Sequence, residues 1–331
     1  MRAVEVAAPG GLDQLRLVER PAPAAGPGEI LVRVGFAAAN WGDIQKRQGI
    51  YPDPIRYPAV LGAEFSGRVA ALGPGVRGLK PGDGIAAIAG PTMLGGFADF
   101  AVIPASYAMK LPPRLALRDA AALPMAFLTA YHLLNTAHRL KRGEVVLVHA
   151  IGGAVGLALT QIGCAMGATM IGTVGSAAKG RTPKRLGAAL VIDRSAEDFV
   201  AAAMRFTKGR GVDLVVDSLG AEILPRSFEA LRRFGRLINI GEAAGEPDFP
   251  VRKTLYRRST SFAGFEILHA EPGSARWRAG MRYVMAGAAA GKFAMPVAGV
   301  FPMTEARALQ ARLEARGVSG KLLMQIGGER A

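Results

Sequence analysis

The rhythm of apolar and polar positions changes near residue 124. Before it, short apolar runs such as Ile30-Leu-Val-Arg-Val34, Gly67-Arg-Val-Ala-Ala-Leu72 and Phe97-Ala-Asp-Phe-Ala-Val-Ile103 are broken repeatedly by glycine and proline. Many short strands with frequent turns predict a barrel-like fold. The connector Pro21-Ala-Pro-Ala-Ala-Gly-Pro-Gly28 admits neither a regular helix nor a central strand and reads as an ordered loop. From Pro124, strand-like runs at Val145, Thr169, Leu190, Val212 and Arg236 alternate with helical patterns, as the βαβ units of a parallel sheet require. Beyond Phe265 the pattern predicts a helix over Arg276 to Ala290, a strand at Val297 to Phe301, a helix over Thr304 to Arg316 and a last strand at Lys321 to Ile326. The chain is thus expected to be α/β. A β-barrel domain comprises residues 1–123 and 266–331, and a doubly wound domain comprises residues 124–265.

A length of 331 residues suffices for two such domains, each with its own core. The single cysteine, Cys164, excludes a disulfide framework and a cysteine metal cluster, and a reducing cytoplasm is the expected address. Ala150 to Ala178 carries no charge, but its seven glycines suit a buried turn-helix-strand unit better than a membrane span. The net charge of +15 raises the question of nucleic acid. The arginines are spread over many elements without interleaved stacking aromatics, so the excess reads as an Ala/Arg-rich composition that favours a phosphorylated cofactor or acidic substrate.

The main chemical signal is His149-Ala-Ile-Gly-Gly-Ala-Val-Gly-Leu157, which follows the apolar run Val145 to Val148 and opens an Ala/Leu-rich helix. A strand, a glycine turn and a helix N-terminus form a phosphate cradle. Gly153 and Gly156 let backbone N–H groups approach a pyrophosphate and let the helix pack on its strand. An acid about 20 residues further on would mark NAD. The corresponding stretch, Ile171-Gly-Thr-Val-Gly-Ser-Ala-Ala-Lys179, has none, whereas Ser176 and Lys179 suit a 2'-phosphate, so NADPH is expected.

Several motifs in order extend this reading: Asn40-Trp-Gly-Asp43 with Arg47-Gln-Gly-Ile-Tyr-Pro52, Leu61-Gly-Ala-Glu-Phe-Ser-Gly-Arg-Val69, Lys80-Pro-Gly-Asp83, the glycine turn, Gly172-Thr-Val-Gly-Ser176 and Val212-Asp-Leu-Val-Val-Asp-Ser-Leu-Gly220. Together they resemble the medium-chain dehydrogenase/reductase superfamily, and within it the zinc-independent NADPH:quinone oxidoreductases related to ζ-crystallin. The resemblance implies a GroES-like catalytic domain in two segments with a Rossmann domain inserted between them. It further implies an oxidoreductase that transfers a hydride from NADPH to a quinone-like acceptor, as a homodimer. The positions matching the catalytic zinc ligands of related alcohol dehydrogenases are Asn40, Ala63 and Met125, so no metal is expected.

Residue by residue, the resemblance places the backbone of Gly153, Ala154, Val155 and Gly156 against the pyrophosphate, and Ser176 and Lys179 on the 2'-phosphate. Arg194, where relatives carry a tyrosine, either stacks on adenine, pairs with that phosphate or is a solvated strand end. Thr129, Ile240 and Gly241 fall near the nicotinamide, and Lys321 near the pyrophosphate or in solvent. Asn40 offers an amide to an acceptor oxygen or the cofactor, and Tyr51, flanked by Pro52 and Pro54, either offers a phenolic proton or serves only the structure of its loop. Asp43 and Glu64 read as structural, and Trp41, Phe127 and Phe265 either as an apolar wall for a flat ring or as core. Gln45 departs from the tyrosine, and Phe265 from the arginine, of many bacterial quinone reductases.

Two other readings stand beside quinone reduction. Leu61 to Val69 and Pro124 to Tyr131 also resemble the enoyl-reductase domains of polyketide synthases, which points to an enone or enoyl thioester substrate and a larger demand on Tyr51. A non-catalytic protein binding NADPH and RNA, as some ζ-crystallin relatives are thought to, is the third.

Overall fold

The computed structural model describes residues 1–327. They form two compact units, residues 1–128 with 271–327, and Thr129–Ala270. Both chain crossings fall five residues later than the sequence pattern places them. At the first of them the reason is local: the helix Pro124–Tyr131 runs through the crossing without a break.

In the first unit, the alternating segments pair into a seven-stranded sheet. Its main path runs Val297–Pro302, Lys321–Gln325, Glu29–Ala38, Glu64–Leu72, Gly84–Ile88 and Ala108–Lys110, and Phe100–Pro104 also pairs with Glu29–Ala38. The register decides what meets at the end of the central strand. Ala38 pairs with Glu64 on one side and Leu323 on the other, antiparallel in both cases, so Asn40, Glu64 and Lys321 arrive at the same corner. A smaller sheet joins Leu15–Glu19, Arg2–Val6 and Ala59–Val60.

The second unit is a six-stranded parallel sheet in the order Leu190–Asp193, Thr169–Val174, Val145–Val148, Val212–Asp217, Leu231–Asn239 and Ser261–Gly264. This is the doubly wound order whose direction of winding reverses at Val145–Val148, and ligands of such sheets bind beyond the carboxyl ends of the strands at that reversal. Leu147, Ile171, Ile192, Val215 and Leu237, one from each of five strands, pack with Phe199 and Phe228 in the core. Near-continuous apolar strands are what burial on both faces demands.

Element boundaries moved in places. The strand expected from Arg236 begins at Leu231, and the helix expected over Thr304 to Arg316 is Ala306–Glu314 after a short 3-10 turn. The uncharged stretch from Ala150 to Ala178 resolves into a turn, the helix Ala154–Ala165 and the strand Thr169–Val174. No described helix is long and apolar enough to cross a membrane.

Candidate active site

The glycine turn of the second unit is built on close backbone approach. A Cβ at Gly156 would lie 2.6 Å from both Cα and O of Ile151, so the first turn of the helix packs directly on the chain leaving the strand. Gly153 is the extended N-cap residue of that helix. The amides of Ala154, Val155 and Gly156 follow it, and amides of a first helical turn have no carbonyl ahead of them within the helix. Their dipoles favour an anion at this point. The loop after strand Thr169–Val174 closes on the same turn, since a Cβ at Gly152 would sit 3.0 Å from Lys179 O and 3.3 Å from Lys179 Cβ. Lys179 is thereby carried to the glycine turn, while Ser176 is exposed at the head of its loop.

Arg194 completes this edge. Its amide donates to Val174 O at 3.0 Å, and its side chain is half-buried with Nη2 3.8 Å from where a Gly175 Cβ would stand. Its Nε is buried and lacks a hydrogen-bond partner. Burial lowers the guanidinium's proton affinity, against the attraction of Asp217 and Asp193. A half-buried guanidinium with an unpaired donor has the chemistry to pair with an anion or to stack on a ring. The Ile240 amide donates to Asp217 O at 2.8 Å and Gly241 O accepts from Asn239 Nδ2 at 3.0 Å, which fixes the end of the fifth strand; Thr129 is buried where the second unit begins.

Beneath the turn lies a network whose partners sequence pattern did not reveal. His149 Nδ1 is 2.9 Å from Thr173 Oγ1, and Nε2 is 2.8 Å from Ser227 Oγ. Ser227 Oγ itself donates to Ile223 O at 2.7 Å, so His149 donates through Nε2 and accepts from Thr173 at Nδ1. Burial, with Arg194 nearby, lowers the imidazole pKa to about 3 and keeps it neutral. His149 therefore ties the root of the glycine turn to the next strand and to the helix Ile223–Ala230.

In the first unit, Asn40 caps the helix Trp41–Gln48 through a reciprocal box with Asp43. Its side-chain amide donates to Ala38 O at 3.2 Å and Glu64 Oε1 at 3.1 Å, and its Oδ1 accepts from Lys321 Nζ at 2.5 Å. Lys321 also reaches Ala39 O at 3.2 Å and pairs with Glu64 Oε1 at 2.5 Å. Glu64 Oε2 accepts from the Met125 amide at 2.8 Å. Lys321 is buried rather than solvated, and its three ammonium protons have three acceptors. Asp43 is fully buried; desolvation raises its pKa, while Lys46, the Asn40 amide and Lys321 oppose the rise.

Tyr51 is half-buried on the loop after the helix Trp41–Gln48, with Cε2 3.3 Å from the position a Gly42 Cβ would take. Phe127 is wholly buried, its ring centroid 5.7 Å from that of Phe293, which selects the core reading over the apolar wall. Trp41 lies under the Arg316 guanidinium at 5.0 Å, and Phe265 extends the backbone pairing of the second unit through Asn239 O at 3.0 Å.

The fold and these two clusters define an oxidoreductase of the medium-chain type. The alcohol dehydrogenase GroES-like domain model matches residues 26–113, and the zinc-binding dehydrogenase model matches residues 154–286. The chain is 30% identical over 322 residues to a probable quinone oxidoreductase of Schizosaccharomyces pombe, covering 97% of this chain and 96% of that one. It is 32% identical over 323 residues to a 2-haloacrylate reductase of a Burkholderia species, covering 95% and 96%. The structure of Escherichia coli quinone oxidoreductase complexed with NADPH superposes with a TM-score of 0.93 at 30% identity, over 98% of this chain and 100% of that one. The chain belongs to the quinone oxidoreductase-like family of medium-chain dehydrogenases/reductases and is an oxidoreductase enzyme.

A catalytic zinc does not fit the residues present at the matching positions. Asn40 is engaged on both sides of its amide, Ala63 has no donor and Met125 offers only a thioether. Among the described residues no group of three or more His, Cys, Asp or Glu side chains is placed to hold a metal ion.

Proposed function

We propose that the protein transfers a hydride from NADPH to a quinone-like acceptor. The observation that carries the cofactor half is the cationic edge of Lys179 and Arg194 beside the glycine turn, with the unspent Nε of Arg194 buried in it. These residues fit a 2'-phosphorylated dinucleotide: the helix N-terminus at Ala154 to Gly156 takes the pyrophosphate, Ser176 and Lys179 the 2'-phosphate, and Arg194 the phosphate or the adenine face. Thr129, Ile240 and Gly241 are assigned to the nicotinamide end. When bound, NADPH supplies the hydride.

The first unit supplies the acceptor chemistry. Both amide hydrogens of Asn40 are spent on Ala38 and Glu64, which leaves Tyr51 as the proton donor of the pair. Asn40 then acts by holding Glu64 and Lys321 in place, and Lys321 is assigned to this corner instead of to the pyrophosphate. Hydroquinone oxyanions are stable enough to take a proton from water, so close alignment supplies most of the rate for such acceptors.

Reduction of a conjugated C=C bond is the second reading. It is supported by the likeness to a 2-haloacrylate reductase. NADPH consumption by the purified protein with an ortho-quinone, and separately with a crotonyl thioester, tests both. Quinone turnover alone supports the first reading and thioester turnover alone the second. Retention of RNA without either turnover would overturn both in favour of a binding protein.

A further inference from the structure

Lys46 is buried on the helix Trp41–Gln48, one turn after Gly42, with 1% of its surface exposed. Residues four apart share a helix face. The Tyr51 ring lies across that face, against the bare Cα of Gly42 at one edge and with its centroid 4.7 Å from Lys46 Nζ. Thr92 O at 2.9 Å and Met93 O at 2.6 Å anchor the ammonium. A methionine or leucine would fill the same space without the cost of desolvating a charge, so burial of an ammonium here calls for an electrostatic reason.

The ammonium is the charged group seated on the ring, and two carboxylates act on it in turn. Burial lowers the lysine's own proton affinity, while Asp43 on the same helix and Asp53 on the following loop favour its charged form. Asp43 is spent on the amides of Asn40 and Gly62, at 2.8 and 3.2 Å. Tyr57, the other phenol on that loop, donates to Lys46 O and not to the ammonium.

We infer that Lys46 is the positioning residue for Tyr51: it holds the ring on the helix and lowers the proton affinity of the phenol. This rests on the reading of Tyr51 as proton donor. With a conjugated acceptor, hydride from NADPH forms the C–H bond at the β-carbon and the C=C pair becomes an enolate. The α-carbon then takes the proton of the Tyr51 O–H bond, and water returns a proton to the tyrosinate. A cation at the ring favours that tyrosinate over the phenol.

The test uses the whole protein labelled with ¹³Cζ-tyrosine, the Tyr51 resonance being assigned with Y51F. In the unmodified protein Tyr51 is expected to titrate below the ordinary value of about 10. In K46M it should move up by about one pH unit, and K46R should restore it. Crotonyl-thioester kcat should fall in K46M with KM little changed, by at most about tenfold, the ceiling that one unit of proton affinity sets. A Tyr51 titration at or above about 10 in the unmodified protein overturns the inference without needing any variant of Lys46 to fold, as does an unchanged titration in folded K46M. Full thioester turnover by Y51F would remove the donor role while the titration still decides whether Lys46 acts on the phenol.

Discussion

Lys321 Nζ stands 2.5 Å from Glu64 Oε1, with the lysine 3% and the glutamate 0% exposed. The pair joins a strand near the C-terminus to one in the middle of the first unit, on either side of the strand that ends at Ala38. Each charge neutralises the other, and Asn40, Ala39 and the Met125 amide take up the remaining valences. A buried pair satisfied this fully tolerates poorly the loss of one member, because the survivor has no water to turn to.

Lys321→Met or Glu64→Gln alone should therefore destabilise the first unit by roughly 3–5 kcal/mol. The double variant should cost less than the sum of the two. Trp41 and Trp277 are the only tryptophans and both belong to the first unit, so urea unfolding followed by tryptophan fluorescence reads that unit alone. Additive losses would show that the two charges do not act as a pair.

Lys179→Ala should weaken NADPH by about 1–3 kcal/mol and hardly alter NADH, since only the former carries the 2'-phosphate. Titration of both dinucleotides by their nicotinamide fluorescence measures this. Equal losses would place Lys179 elsewhere on the cofactor, or off it.

The neutral state of His149 makes the second unit sensitive to acid. Its imidazole takes a proton near pH 6.5 when unfolded but only near pH 3 when folded, so between those values the unfolded state binds the additional proton. Stability contributed by His149 is fully present above pH 6.5 and falls as pH drops, by at most about 1.4 kcal/mol per pH unit. Urea midpoints followed by far-UV circular dichroism from pH 7 to pH 4 should decline steeply, and His149→Gln should flatten the slope. An equally steep slope in the variant would assign the acid sensitivity to the carboxylates.

The sequence pattern located five of the six strands of the second unit, the fifth beginning earlier than expected, because strands buried on both faces read as continuous apolar runs; the edge strand Ser261–Gly264, largely exposed, has no such run and was missed. It also located the glycine turn, whose residues are contiguous. It could not show that Lys321 closes on Glu64 across 257 positions, nor that His149 reaches Ser227 across 78, because such pairs are made by strand register and helix packing. The choice at Phe127 between pocket wall and core was open in the sequence for a related reason. An aromatic on an apolar helix has no periodic mark to separate a pocket wall from a core contact such as its packing on Phe293. Lys46 drew no reading from the sequence, because nothing local announces that its ammonium is buried over Tyr51.

Gly153 and Gly156 look equivalent in sequence, yet the structure gives them different tasks. A Cβ at Gly156 would meet backbone atoms of Ile151 at 2.6 Å and Ala150 O at 2.7 Å, and backbone cannot turn aside as a side chain can. A Cβ at Gly153 meets only Ala150 O, at 3.2 Å, from an extended backbone that any residue adopts. Gly156→Ala should therefore push the helix from its strand, destabilise the second unit by roughly 1–3 kcal/mol and weaken NADPH and NADH alike. Gly153→Ala should leave stability within about 1 kcal/mol of the parent, the cost of losing a favoured cap. Its effect should fall on dinucleotide affinity, since the added methyl group stands at the mouth of the turn where a pyrophosphate would approach. Circular dichroism melts and dinucleotide titrations on the two variants separate the roles. Equal destabilisation by both would mean that the turn and the helix contact are one indivisible element.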